Sequence, residues 1–152
     1  MFTPDEIAGI VDLFGALTRE EADRALSELA YRRGEEPPAD AIGDAVNAFA
    51  LVAFERGDER LLAPGPAAFP ELPNGSEDLP HILDVDDRTV DRETVGRAAT
   101  ERLRSEADRA IASGDDDRAE ELLEISYDIE ARGGPDLSDV RERLETLVDD
   151  TN

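Results

Sequence analysis

Apolar residues in the first third of the chain recur at the three- and four-residue spacing of a helix face. Ile7, Ile10, Val11, Phe14 and Leu17 make the first stripe. Thr3 and Glu6 ahead of it have the spacing of a capping box, and Pro4 occupies the first helical position, where its missing N–H costs nothing. Phe2 and Ile7 stand at the staple positions. A second box follows at Thr18 and Glu21, so residues 15–18 are predicted to form a tight corner between two helices. Ala22, Ala25, Leu26 and Leu29 form the next inward stripe, which should stop near Gly34, a natural residue to follow a helix C-terminus. Glu35-Glu36-Pro37-Pro38 reads as a loop, and a third helix beginning after Asp40 is expected to bury Ile42, Ala45, Val46 and Phe49.

The period then changes. Leu51-Val52-Ala53-Phe54 could extend the third helix or pair as a strand with Leu61-Leu62-Ala63 across the polar turn 55–59. The hairpin is the preferred reading; a continuous helix over 51–63 would turn the unit into a plain helical bundle. Proline offers no ladder donor, so Pro64-Gly65-Pro66 should end the second strand. Residues 67–90 are rich in proline, with Asn74-Gly75-Ser76, and read as an irregular connection. Phe69, Leu72, Leu79, Ile82 and Leu83 are too apolar for a free tether, which predicts a strap partly packed on the core.

Helical period returns after Asp91. Val95, Ala99, Leu103, Ala107, Ala110 and Ile111 mark a long helix ending at Gly114. Asp115-Asp116-Asp117 favours the start of the next helix through its dipole. Ala119, Leu122, Leu123, Ser126 and Ile129 run along that helix to Gly133-Gly134. A last helix after Pro135, capped by Asp136 or Ser138, carries Val140, Leu144, Leu147 and Val148. The expected fold is mainly α: a winged-helix-like unit of three helices plus a short β-hairpin at 1–66, a packed strap at 67–90, a helical hairpin with one further helix at 91–149, and a tail at 150–152.

Composition changes the reading of the surface. There is no lysine; 16 arginines face 39 carboxylates, for a net charge of -23. At molar salt the Debye length falls to about 3 Å, so such a surface can repel its neighbours without self-repulsion destroying the fold. The charge fits a halophilic protein, the alternatives being a basic-partner mimic or a disordered acidic segment. Periodic patterning of the 39% hydrophobic residues argues against wholesale disorder. The absence of cysteine excludes disulfides, thiolate catalysis and Cys-ligated metal centres. No apolar run approaches the roughly 20 residues of a membrane span, and the N-terminal residues lack the basic region of a signal peptide. A cytoplasmic location is expected.

Candidate chemistry is sparse. A winged helix would read DNA through its third helix and wing, making Asn47, Arg56 and Arg60 the contact residues, with Arg32 and Arg33 as further phosphate contacts. Charge disfavours that use: residues 1–66 hold 6 arginines and 14 carboxylates, whereas duplex binding needs cations at phosphates. His81 is the single imidazole, and no nucleophile motif accompanies it, so the plain reading is a histidine bonded within a packed loop. Asp84, Asp86 and Asp87 fail the calcium-loop template, with Thr89 where glycine is needed. No glycine-rich phosphate loop follows a predicted strand. Neither catalytic residue, cofactor nor metal is therefore assigned. The long helix alternates arginines with carboxylates, as solvated helix faces do, while Ala98, Ala99, Ala107 and Ala110 would suit a self-association seam.

The segments Asp5–Arg19, Pro64–Pro70 and Asp78–Val85, on a lysine-free acidic background, resemble a small conserved haloarchaeal family of unknown function. The resemblance covers most of the chain. It implies a salt-adapted source and no activity, cofactor or site residue. The functional expectation is a non-enzymatic protein-interaction or regulatory module, with an unknown protein partner or with itself. A DNA-binding transcription regulator is the alternative, and an enzyme centred on His81 the third reading.

Overall fold

The computed structural model describes residues 2–37 and 39–151. Its described residues are mainly helical with one small antiparallel sheet, and they divide into two compact units, 1–95 and 96–152. The strap thus belongs with the N-terminal helices rather than forming a segment of its own.

The first unit begins with α1 (Pro4–Phe14) and α2 (Arg19–Arg32). Both expected capping boxes are closed. Thr3 Oγ1 accepts from the Glu6 amide while Glu6 accepts from the Thr3 amide, and Thr18 and Glu21 repeat the exchange. The corner between the helices carries a feature that the helical pattern hides. Leu17–Thr18 is a short strand, β1, and it pairs with the second strand of the hairpin. Two residues show no alternation, so only the partner strand reveals it.

Helix α3 (Ala41–Asn47) is short and buries Ile42 and Ala45, with Val46 half-buried. Phe49 lies beyond its end, fully buried and at φ 61°. That left-handed turn, uncommon for a bulky residue, redirects the chain into β2 (Leu51–Arg56). Strand β3 (Glu59–Pro64) returns antiparallel to β2, and the sheet order is β1-β3-β2. The turn is shorter than the five polar residues suggested: Arg56 pairs with Glu59, leaving Gly57 and Asp58 as the whole loop. Gly57, at φ 63°, supplies the positive φ that a two-residue hairpin requires.

The core of this unit joins Phe2, Ile7, Ile10, Val11 and Phe14 of the N-terminal segment to Leu26 and Leu29 of α2, Ile42 of α3, Leu51 and Leu62 of the sheet, and Leu79 and Leu83 of the strap. At roughly 1.5–3 kcal/mol for each large side chain buried, this cluster supplies most of the drive to fold. The strap contains a helix that the sequence does not announce, α4 (Leu79–Leu83). Its packing is selective: Ala68, Leu79 and Leu83 are buried, whereas Phe69, Leu72 and Ile82 are exposed.

Two glycines seat the strap on α1. A Cβ on Gly9 would lie 2.0 Å from the Glu71 carbonyl oxygen, and one on Gly15 1.8 Å from that of Arg88. Gly15 also stands at φ 86°. The close approach permits Glu71 N–H to reach the Asp5 carbonyl (3.0 Å) and Arg88 N–H the Phe14 carbonyl (2.8 Å).

The second unit contains most of α5 (Arg92–Ser113), then α6 (Asp116–Ala131) and α7 (Ser138–Thr151). Asp91 accepts from the Glu93 amide at the start of α5, and Asp115 caps α6 by accepting from the Arg118 amide. Asp136 accepts from the Ser138 amide where α7 begins. Gly114 and Gly133 take positive φ just past the ends of α5 and α6. Ala99, Leu103, Ala107 and Ala110 are buried on α5, as are Ala119, Leu122, Ile125 and Ile129 on α6 and Val140 and Leu144 on α7. The expected tail begins inside α7, which continues to Thr151; Asn152 and the loop residue Pro38 lie outside the described residues.

Candidate functional site

The residues nominated for nucleic-acid contact do not converge. Asn47 is exposed at the last position of α3. Arg56 and Arg60 flank the hairpin turn, but in the observed register Arg56 stands opposite Glu59 and Arg60 opposite Glu55. Neighbouring cross-strand pairs project to opposite faces, so the two arginines leave the sheet on different sides. Arg56 is also engaged: its guanidinium donates to the Thr89 carbonyl at 2.8 Å.

The other arginines of this unit show the same habit. Arg24 donates to the Leu83 carbonyl, Arg32 to Gly75 and Arg33 to Asn74, and Arg33 also lies 5.1 Å from the centre of the Phe2 ring. All three hold the strap against α2. An irregular segment leaves carbonyls without helical or sheet partners, and the planar, five-donor guanidinium suits them. The two arginines read as phosphate contacts at the C-terminal end of α2, Arg32 and Arg33, thus bind backbone oxygen.

Arg88 closes the clasp from the strap side. Its Nη1 reaches the Ala16 carbonyl (3.1 Å) and Glu21 Oε1 (2.7 Å), and its Nη2 approaches Glu21 Oε2 and Glu59. The side chain is only 16% exposed. Burial pushes the Glu21 carboxyl up, but the hydrogen bonds from Arg88 and the Thr18 amide, with the Arg88 charge, outweigh it and hold the group below its usual value. Arg88 in turn is raised, chiefly by its hydrogen bond to Glu21. Charge-assisted bonds of this kind contribute about 1.5–3 kcal/mol each.

His81 does not sit within a packed loop; it is exposed on α4. Asp84, also exposed, ends that helix at φ 52°. Among the described residues no group of three or more His, Asp or Glu side chains is placed to hold a metal ion, and no helix is long and apolar enough to cross a membrane. Ala99, Ala107 and Ala110, three of the four seam alanines, are buried within the folded chain and cannot face another copy.

What the structure adds is a groove along the outer face of α2. Glu20, Asp23, Arg24, Ser27, Glu28 and Tyr31 recur at helical spacing on the side opposite the buried Ala22, Ala25, Leu26 and Leu29. Together with Glu35 and Pro37 they line one wall of an open groove of about 700 Å³, and Ile82 and Leu83 of α4 line the other. Tyr31 is 80% exposed and Ile82 41%. The groove's arginine, Arg24, is bound to the Leu83 carbonyl, so it joins the walls. The carboxylates Glu20, Asp23, Glu28 and Glu35 rim the opening.

A family of unknown function, DUF7109, matches residues 5–149. The chain belongs to DUF7109. The match takes in both compact units, and with them α2, the strap and the groove. No curated protein and no solved structure matches the chain.

Half of this DUF7109 groove was readable in advance. Tyr31 is an aromatic residue on the polar stripe of an amphipathic helix, out of register with the apolar face, and that mismatch is a sequence signal. Ile82 gives no such signal, because its exposure depends on α4 burying Leu79 and Leu83 instead.

Proposed function

We propose that this protein is a non-enzymatic protein-interaction module of a salt-adapted, haloarchaeal cytoplasm, and that the groove between α2 and α4 is its contact surface. The observation that carries the reading is Tyr31, a large amphipathic side chain left uncovered on a helix whose other face is fully packed. Tyrosine is over-represented among the residues that dominate binding energy at protein interfaces. Exposed apolar side chains within a groove rimmed by polar groups are typical of such sites. The N-terminal unit is winged-helix-like in layout, three helices followed by a hairpin, and the pairing of β1 with β3 supports that description. Its use on DNA has less support, since Arg32, Arg33 and Arg56 donate to backbone carbonyls.

A photo-crosslinking side chain placed at position 31, in cells at their native salt, tests the reading. One reproducible protein adduct is expected there and none from the same group at the exposed position 145. Equal background at both positions would remove the groove as a contact surface. Retardation of duplex DNA in molar KCl, lost on Arg56→Glu with Arg60→Glu, would instead establish the regulator.

A further inference from the structure

Taking the groove as the contact surface, we infer that its occupant is a cationic amphipathic helix: a partner segment that lays two or three apolar residues against Tyr31, Pro37 and Ile82 and presents arginine or lysine to the rim. Shape and charge both point there. The stripe from Glu20 to Tyr31 runs about 16 Å along α2 at 1.5 Å per residue, close to three helical turns, which seats the roughly two turns of an i, i+4, i+7 apolar ridge with room for a flanking cation at either end. The lining combines apolar surface of Tyr31, Pro37, Ile82 and Leu83 with four carboxylates. Two of those are already approached by arginines of the same helix, Asp23 by Arg19 at 3.9 Å and Glu28 by Arg32 at 3.5 Å. Glu20 and Glu35 form no ion pair among the described residues. They stand toward opposite ends of the groove, as cations flanking a two-turn apolar ridge require. Arg24 would oppose such a ligand, but its guanidinium is drawn to the Leu83 carbonyl and ties the wall together instead. A second copy of the chain is the wrong occupant on the same ground, because it brings a net charge of -23 to an acidic rim.

Three synthetic helices test this: one with an apolar ridge flanked by arginines, one with the same ridge flanked by glutamates, and one with the arginines kept and the ridge scrambled. Titration of the full chain, followed by calorimetry, should show saturable binding of the first peptide alone at about 0.15 M salt, with the glutamate peptide approaching it at molar salt, where charge is screened, and the scrambled ridge binding at neither. Tyr31→Ser and Ile82→Ser should each weaken it about tenfold, and Glu20→Gln with Glu35→Gln about as much at low salt but little at molar salt, where screening already removes that contribution. The pair Asp117→Asn with Glu120→Gln, at exposed positions of α6 outside the groove lining, should leave it unchanged. That control separates the groove from the general acidity of the surface. Binding indifferent to Tyr31→Ser, or equal for the scrambled ridge, would overturn the inference, as would absence of binding at both salts. Equal binding of the glutamate peptide at about 0.15 M, still lost on Tyr31→Ser, would overturn the cationic assignment while leaving the groove a contact surface. A dimer of the free protein that Tyr31→Ser converts to monomer would overturn it in favour of a second copy.

Discussion

The two units hold eight arginines each and employ them differently. In residues 1–95 the guanidinium groups go chiefly to backbone: Arg24, Arg32, Arg33, Arg56 and Arg88 all donate to carbonyls distant in sequence. In residues 96–152 they go chiefly to carboxylates on the same or neighbouring helices, as in Arg104–Asp139, Arg118–Glu121, Arg141–Glu130 and Arg143–Asp108. The cause is local structure. Helices satisfy their own carbonyls, so arginines between them meet side chains; the strap cannot, so arginines meet its backbone. One consequence bears on function. Carboxylates of the first unit are neutralised less by its arginines, and that unit holds 22 acidic residues against 17 in the second, which leaves the α2 rim acidic.

Glycine sharpens the contrast most. Gly15→Ala forces a side chain into positive φ and against the Arg88 carbonyl, so it should cost about 3 kcal/mol or more by chemical denaturation. Gly9→Val should be comparably severe. Gly96→Ala on α5 meets nothing within 4 Å and should stabilise by about 0.5–1 kcal/mol. If both signs came out alike, the strap would not be seated as described.

Arg88→Met comes next, losing its carbonyl and carboxylate bonds together, with an expected loss of about 2–3 kcal/mol. The surface pair removed by Arg143→Ala should cost at most about 1 kcal/mol and fade with added salt. A salt-sensitive loss at Arg88 as small as that at Arg143 would erase the distinction between the units.

Acid should separate two carboxyls by sign. Glu21 is held below its ordinary value, so its contribution is present above about 4.5 and is lost as pH falls through the lower folded value. Glu21→Gln should flatten the stability curve in that acidic window. Asp128, on α6, is raised, first by burial. Its contribution is present below its ordinary value and lost as pH rises through the folded one, so Asp128→Asn should improve stability slightly near neutrality. Paired thermal melts between about pH 3 and 7 read both.

Much of the architecture is legible from local chemistry alone. Capping boxes at Thr3 and Thr18, stops at Gly34, Gly114 and Gly133, and the apolar stripes depend on residues within a turn or two of one another, so spacing suffices. The hairpin at 51–64 needed a choice between two periods, and the polar turn around Gly57 with Pro64 at the end of the second strand fitted it. Legibility failed where contacts are long-range. Leu17–Thr18 is a strand because Leu61 and Leu62 lie beside it. Ala99, Ala107 and Ala110 suited a seam until packing buried them, and Arg56 suited a phosphate until Thr89 came within reach.

Sequence by itself therefore determined the helical elements, the hairpin, the acidic surface and the absence of thiol chemistry, because each follows from side-chain type and short-range period. Tertiary structure decided which arginines bind backbone, which apolar residues of the strap stay outside, and that Tyr31 faces Ile82 across a groove. Those outcomes turn on carbonyl oxygens and glycine contacts brought together over 40 to 70 residues of chain, and no local pattern encodes where a distant backbone will come to rest.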